Sequence, residues 1–372
     1  MAKRQAGSSE NAKKIPTPPH PGTSRRNAER EKAIAEFLER WAPGENHDLL
    51  ADMIVTVCRL ARDKTERGEL KILNTAIKEL RYAFKMFAPY SHVRKVSIFG
   101  SSRTPEGHPE YQAALHFATR MREEHWMVIT GAGDGIMRAG HGGAGREASF
   151  GVAIRLPFEQ QTNPFIADDP KLVSFKYFFT RKLVFMKEAS AVALFPGGFG
   201  THDEGFEALT LIQTGKAPVM PVVLVDAPGG IYWQHWRTYV VAELLRTNMI
   251  SPEDMNLFRV TDDVETAVQE IMHFYSRYHS MRYVGDTLVL RLNSPVTEKV
   301  LEQLNEEFGD LLASGRIEQS DSPLAEENGE LPDKVRLLLR FNKRSPGRLR
   351  LLINAVNNAE PPAASPDGGQ AR

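Results

Sequence analysis

The sequence predicts an α/β protein built on a doubly wound parallel sheet, and three observations predict it. Short apolar runs alternate with amphipathic helical stretches from about residue 93 to residue 278, the order expected of βαβ units. Glycine-bearing loops follow three of those runs and would converge on one edge of the sheet, which is where ligands bind in such folds. The central run, Ala191–Phe195, carries no charge, as a strand buried on both faces requires. These features make the domain Rossmann-like. A helical extension precedes it and a small α+β module follows it. The expected division is 1–27 disordered, 28–90 helical extension, 91–280 nucleotide-type domain, 281–359 α+β module and 360–372 disordered tail.

The first residues are rich in Lys, Ser, Pro and Gly and offer nothing to bury. AEREKAIAEFLERW, HDLLADMIVTVCRLARDK and ELKILNTAIKELRYAFKMF then read as three helices, with Leu70, Ile72, Leu73, Ile77, Leu80 and Phe84 along one face of the third. Such an addition serves as a flanking layer or as an oligomer contact. Val93–Phe99 opens the sheet, with Gly100, Ser101, Ser102 and Arg103 at its carboxyl end. A helix over Tyr111–Glu124 leads to the strand Met127–Thr130. Gly131, Gly133 and Gly135 then let the backbone approach a ligand before a helix starts near Ile136. Gly140 to Gly145 serve either that purpose or a tight turn.

Gly151–Leu156 is the third strand. The loop after it holds Asn163 and Glu159, the latter either a partner for a ribose hydroxyl or base amine, or a solvated loop acid. Val173–Phe175 precedes the helix that carries Arg181 and Lys182. After Ala191–Phe195 comes Pro196-Gly197-Gly198-Phe199-Gly200-Thr201, with a helix expected over Asp203–Gly215. A glycine turn running into a helix start presents free N–H groups and a positive dipole end, so an anion is its natural occupant. This loop is neither a GxGxxG nor a P-loop pattern, since the Lys-Ser/Thr that a P-loop needs after its glycines is missing. Arg181 supplies a cation for that anion and Glu204 a carboxylate beside it; read singly they are a surface charge and a dipole-complementing acid. Phe206, Leu209 and Ile212 face the core, and Glu207 and Thr210 point toward the site. Pro218–Val225, a helix over Gly230–Asn248, Leu257–Val260 and a helix over Val264–Arg277 complete the domain.

The tail reads as strand Thr287–Leu292, helix Thr297–Leu312, strands Arg316–Gln319 and Lys334–Phe341, and helix Arg348–Asn357, an order suited to a ferredoxin-like or ACT-like module. Its basic residues, Lys334, Arg336, Arg340, Lys343, Arg344, Arg348 and Arg350, form a solvated face or meet an anionic effector or RNA.

Of the 372 residues, 47 are basic and 47 acidic, so no global field favours nucleic acid or a membrane. One cysteine, Cys58, excludes an internal disulfide framework; it lies in an apolar helical pattern as a packed thiol. No apolar run reaches bilayer length, and the basic N-terminus leads into no hydrophobic segment. A soluble cytoplasmic protein is expected.

PGGFGTHDE resembles the PGGxGTxxE signature of the LOG family of nucleoside 5′-monophosphate phosphoribohydrolases, many of whose members carry the older label lysine decarboxylase-like. Arg181-Lys182 resembles that family's RK element, Phe99-Gly100-Ser101-Ser102 its first strand and loop, and Gly131–Met137 its second glycine loop. The resemblance covers Val93 to about Tyr278. It implies hydrolysis of the N-glycosidic bond of AMP or a cytokinin riboside monophosphate, giving free base and ribose 5-phosphate. Glu204 and Arg181 would be catalytic. Gly100, Ser101, Ser102, Gly131, Gly133, Gly135, Glu159, Lys182, Gly197, Gly198, Gly200, Thr201, Glu207 and Thr210 would hold the substrate. Asp203 stands where the family commonly has the first of two glutamates, and GAGDGIM replaces a triple-glycine form. The resemblance also implies a homo-oligomer. No cofactor is expected, and no His, Cys and Asp cluster has metal-ligand spacing. A non-catalytic nucleotide sensor on the same fold is the alternative. Lysine decarboxylation would demand pyridoxal phosphate on a Schiff-base lysine, for which only the old label argues.

Overall fold

The computed structural model describes residues 25–42, 44–156 and 162–360. The disordered ends expected from composition fall, but for residues 25–27 and 360, outside that range. The chain divides into two compact units between Leu73 and Asn74. In the first, α1 (Arg25–Trp41) and α2 (His47–Arg62) close a small core of Ile34, Leu38 and Val55. The break falls inside α3 (Arg67–Phe87), not at residue 90. The reason is packing: Ala83 and Phe87 join the core of the second unit, and Phe87 stacks on Phe150 with ring centroids 4.1 Å apart. Among the described residues nothing covers much of the apolar stripe of α3: Leu70, Ile72, Leu73, Ile77 and Phe84 are exposed. Cys58 is exposed as well, which corrects the expectation of a packed thiol.

The second unit is a Rossmann-like α/β layer structure. Its strands are β1 (Lys95–Phe99), β2 (Met127–Thr130), β3 (Ser149–Ile154), β4 (Leu172–Phe175), β5 (Ala191–Leu194), β6 (Val222–Val225) and β7 (Arg259–Thr261). All pair in parallel, in the order β4-β3-β2-β1-β5-β6-β7. Side chains alternate between faces, and both faces are covered: Val192 and Leu194 enter one core, Ala191 and Ala193 the other. The connecting helices are α4 (Pro109–Glu123), α5 (Ile136–Ala144), α6 (Phe178–Glu188), α7 (Phe199–Gln213), α8 (Tyr232–Tyr239) and α9 (Val264–Phe274). The helix expected over Gly230–Asn248 is α8 running into a π-helical turn, Val240–Leu245. Gly140, Gly142 and Gly143 lie inside α5 and not in a turn. A Cβ on Gly143 would come within 2.1 Å of Leu115 O on α4, so glycine there permits close helix packing.

A second, antiparallel sheet follows, with β8 (Tyr278–Val284), β9 (Thr287–Leu292), β10 (Leu312–Ser320) and β11 (Val335–Phe341) in the order β10-β11-β9-β8. α10 (Glu298–Phe308) and α11 (Pro346–Asn358) accompany it. The order is ββαββα because β8 precedes the expected elements. It fills the edge position beside β9 that a terminal strand takes in a ferredoxin-like sheet.

The basic residues of this module are largely committed to internal partners. Arg336 is enclosed and Arg350 nearly so, the latter bonded to Glu270 of α9. Arg348 pairs with Asp310 at 3.1 Å. The buried Glu327 carboxylate accepts from Arg291 at 2.6 and 2.8 Å and from Arg336 at 3.2 Å, clamping the loop before β11 onto the sheet. Burial opposes its charge, but the bonds from Arg291, Leu324 N–H and Arg336 prevail and hold its pKa below the usual range. Glu327→Gln leaves the buried Arg336 guanidinium without a counter-charge and Arg291 with Glu330 alone, at 2.9 Å. It is expected to lower unfolding free energy by about 3–5 kcal/mol, read from urea denaturation, whereas replacing Arg291, Glu327 and Arg336 together by apolar residues of similar volume is expected to be close to neutral.

Candidate functional site

The strand order reverses between β1 and β5, and the loops that leave their carboxyl ends open a crevice there. Ser101 N–H donates to Pro196 O at 3.0 Å and ties the two loops at their bases. Beyond the tie lies a cavity of about 840 Å³ lined by both loops, Gly131, Arg181 and the first turn of α7. That helix starts at Phe199, four residues earlier than expected, so Gly200 and Thr201 are helical. Glycines suggested a longer loop, but Gly198 takes the N-cap position with an extended backbone. His202 N–H is the first to bond back, to Gly198 O at 3.2 Å. The N–H groups of Phe199, Gly200 and Thr201 therefore precede the helical ladder, and no acidic side chain sits in the first turn to meet them. Gly197 is sterically required: a Cβ would lie 2.1 Å from Thr201 Oγ1 and 2.9 Å from Ser101 N.

Arg181 and Glu204 face this cavity from α6 and α7. Arg181 is 8% exposed, and its Nε donates to Val152 O at 2.9 Å. Its guanidinium carbon lies 5.2 Å from the centre of the Phe185 ring. Burial lowers its pKa, against the pull of Glu204. Burial raises the pKa of Glu204, with Arg181 pulling it back. Among the described residues neither forms an ion pair, so both charges stay available to a guest.

The residues expected at the site divide as follows. Gly100, Ser101, Ser102, Gly131, Gly197, Gly198, Gly200, Thr201, Arg181 and Glu204 line one cavity. Lys182 and Glu207 do not: Lys182 Nζ sits 2.7 Å from Asp203 and 2.8 Å from Glu207, and all three border a different groove. Successive helical positions turn by about 100°, so Lys182 cannot share Arg181's direction. Glu207, three residues after Glu204 and on a neighbouring row of α7, is drawn away by its pairing with Lys182. Thr210 lies against Phe206, Trp236 and Leu244 in a third, small hollow. Gly133 and Gly135 are turn and packing residues. Gly135 has φ +62°, and a Cβ there would come within 2.2 Å of Ser101 O. Glu159 lies outside the described residues.

Several residues at the cavity were not foreseen. His202 borders it, with Nε2 2.7 Å from the Tyr232 hydroxyl, which donates in turn to Gly197 O at 2.5 Å. Phe199, 97% exposed, and Phe178 offer aromatic faces at its mouth. The aromatic run Ile231–Tyr239 was the available signal for Tyr232. Behind the second glycine loop, buried His141 bonds to Thr130, Phe150 O and Asn163, and burial lowers its pKa to about 4. Among the described residues no group of three or more His, Cys, Asp or Glu side chains converges as a metal site would demand, and no helix is long and apolar enough to cross a membrane.

No curated protein matches the chain significantly. Similar solved structures include the X-ray structure of TM1055, a structural-genomics target, at 24% identity and TM-score 0.35, covering 48% of this chain and 97% of that one. The molybdenum cofactor carrier protein from Chlamydomonas reinhardtii follows at 17% identity and TM-score 0.34, covering 48% and 98%. The molybdenum cofactor binding protein from the phototrophic bacterium Rippkaea orientalis is similar at 16% identity and TM-score 0.33, covering 48% and 93%. Residues 133–271, which hold the second glycine loop from Gly133 onward, Arg181-Lys182 and the PGGFGTHDE turn, match the family profile described as possible lysine decarboxylase.

Proposed function

We propose that the chain hydrolyses the N-glycosidic bond of nucleoside 5′-monophosphates, with AMP the first substrate to test. The observation that carries the reading is a desolvated carboxylate, Glu204, and an uncommitted guanidinium, Arg181, facing one cavity at whose edge a glycine-framed helix start offers N–H groups to an anion. The phosphate sits on the first turn of α7 and beside Arg181, as anions sit at helix N-termini. Anchoring it places the ribose so that its anomeric carbon lies by the carboxylate. Positive charge grows on the sugar as the bond to the base breaks, and Glu204 stabilises it. Glu204 then takes a proton from the water that adds to the anomeric carbon, and the departing base takes up a proton, so AMP and water give adenine and ribose 5-phosphate. The same reading has the chain working as a homo-oligomer, supported by Phe178, Phe179 and Leu183 standing exposed along α6.

Three outcomes test this. Glu204→Gln is expected to lower kcat for base release, followed by chromatography, by about 10²–10⁴-fold while AMP binding persists. Equal turnover by variant and parent overturns the assignment, and saturable AMP binding by a parent that releases no base makes the chain a nucleotide sensor or carrier. Because burial lifts the Glu204 pKa, kcat/KM is expected to fall on the acid side at a pH above the ordinary carboxylate range. Gly197→Ala is expected to reduce kcat/KM by about 10²-fold through displacement of the turn. Gly198→Ala, whose Cβ meets nothing within 4 Å, is expected to leave it nearly unchanged.

A further inference from the structure

The second glycine loop holds an uncommon backbone conformation. Ala132 has φ +63°, a left-handed conformation that side chains other than glycine seldom adopt. Such a residue persists where its surroundings over-determine it, and these conformations cluster at functional sites. Here the surroundings are explicit. Ala132 N–H donates to Thr130 Oγ1 at 3.1 Å, and Ala132 O accepts from Asn163 N–H at 2.9 Å. The Asn163 amide donates to Gly133 O at 2.9 Å and reaches His141 Nδ1 at 3.1 Å. His141 Nε2 lies 3.0 Å from both Phe150 O and Thr130 Oγ1. A carbonyl oxygen only accepts, so Nε2 carries the ring proton and Nδ1 accepts from Asn163. Thr130 and His141 are fully buried and Asn163 is 1% exposed. None of the three lines the candidate cavity.

What the turn does face is Arg181. A Cβ on Gly131 would stand 2.4 Å from Arg181 Nη2, so the guanidinium lies directly against the turn's backbone. Its Nε is fixed from the other side by Val152 O, two residues along β3 from the carbonyl that His141 holds. We infer that Thr130, His141 and Asn163 are positioning residues that lock the Gly131–Gly133 turn and, through it, seat the Arg181 guanidinium in the cavity. The inference rests on the reading of Arg181 as the group that holds the substrate's anion. It adds that the strength of that hold is set by a buried amide and imidazole that never touch the guest. Asn163 is the member to change, because its side-chain amide bridges the imidazole to Gly133 O, at the opposite end of the turn from Thr130.

A double-mutant cycle on the full chain, read by calorimetric titration with AMP, tests it. Asn163→Ala is expected to weaken AMP binding about tenfold in the parent and less than twofold in an Arg181→Ala background, since residues acting through one another are non-additive. Leu290→Ala, in the core of the antiparallel sheet, serves as a destabilised comparison and is expected to keep parental affinity. Asn163→Asp keeps the side-chain size but cannot donate to Gly133 O, and it carries the cycle if the alanine variant does not fold. Equal weakening in both backgrounds, no weakening in the parent, or equal weakening by Leu290→Ala overturns the inference. A parent that binds AMP without hydrolysing it sinks the glycosidase reading and leaves this inference to the cycle. A parent that binds no AMP takes both down.

Discussion

A single backbone bond, from Ser101 N–H to Pro196 O, fixes how far apart the two site-forming loops can begin. It joins residues just past the ends of β1 and β5, neighbours in the sheet whose connecting helices leave to opposite faces. A parallel sheet wound in both directions must have such a place, and there the chain ends diverge and expose their backbone. The rest of the cavity is built on that divergence. Gly197 keeps the β5 turn narrow enough for Thr201 to tuck beneath it, and the Tyr232 hydroxyl closes on the Gly197 carbonyl from α8. Gly100 and Gly135 let α5 approach from the β1 side, where Ile136 N–H reaches Ser101 O at 3.0 Å. Main-chain bonds and missing side chains thus shape the cavity, and only then do charged groups enter it.

Electrostatics separates function from structure on the same two helices. Lys182 is held by two carboxylates, Asp203 and Glu207, one turn of α7 apart. Its pKa rises because those bonds outweigh its burial. Charge there is neutralised within the chain. One residue earlier on α6 and one residue later on α7, Arg181 and Glu204 are desolvated without a bonded counter-charge, and the pKa of each shifts against its charged form. Such an arrangement is unfavourable in the empty protein. It becomes favourable when an anion joins the guanidinium and a cationic centre develops near the carboxylate.

The fold was legible wherever burial on both faces wrote itself into composition. The limits of β2 and β9 follow directly from Met127–Thr130 and Thr287–Leu292, and every central strand lies within a few residues of its apolar run. β8 was missed because an edge strand need bury only one side, and His279, Ser280 and Arg282 interrupt its alternation. The site was legible as a motif, so Arg181, Glu204 and the Gly197–Thr201 turn come together. It was not legible in direction. Whether Glu207 or Thr210 faces the cavity depends on the phase of α7, which is set by Ala208 and Ile212 packing on the sheet. Exposure was the least visible property: the stripe from Leu70 to Phe84 has helical periodicity, yet periodicity records only that one face is apolar, not what covers it.

The antiparallel sheet was read as an appended module, and its contacts argue otherwise. Asn357 of α11 accepts from the N–H groups of Arg277 and Tyr278 and donates to Phe274 O, so the last helix caps the junction between α9 and β8. Arg350 passes under α11 to Glu270, and Gly347 lets the start of that helix press on Glu253 O, where a Cβ would stand 2.1 Å away. Leu288, Leu290, Leu337 and Leu352 belong to one continuous core with Val192 and Leu194 of β5. The C-terminal sheet and the strand that launches the anion-facing turn therefore contribute to one hydrophobic core, and the sheet is part of the second unit's packing and not an appendage to it.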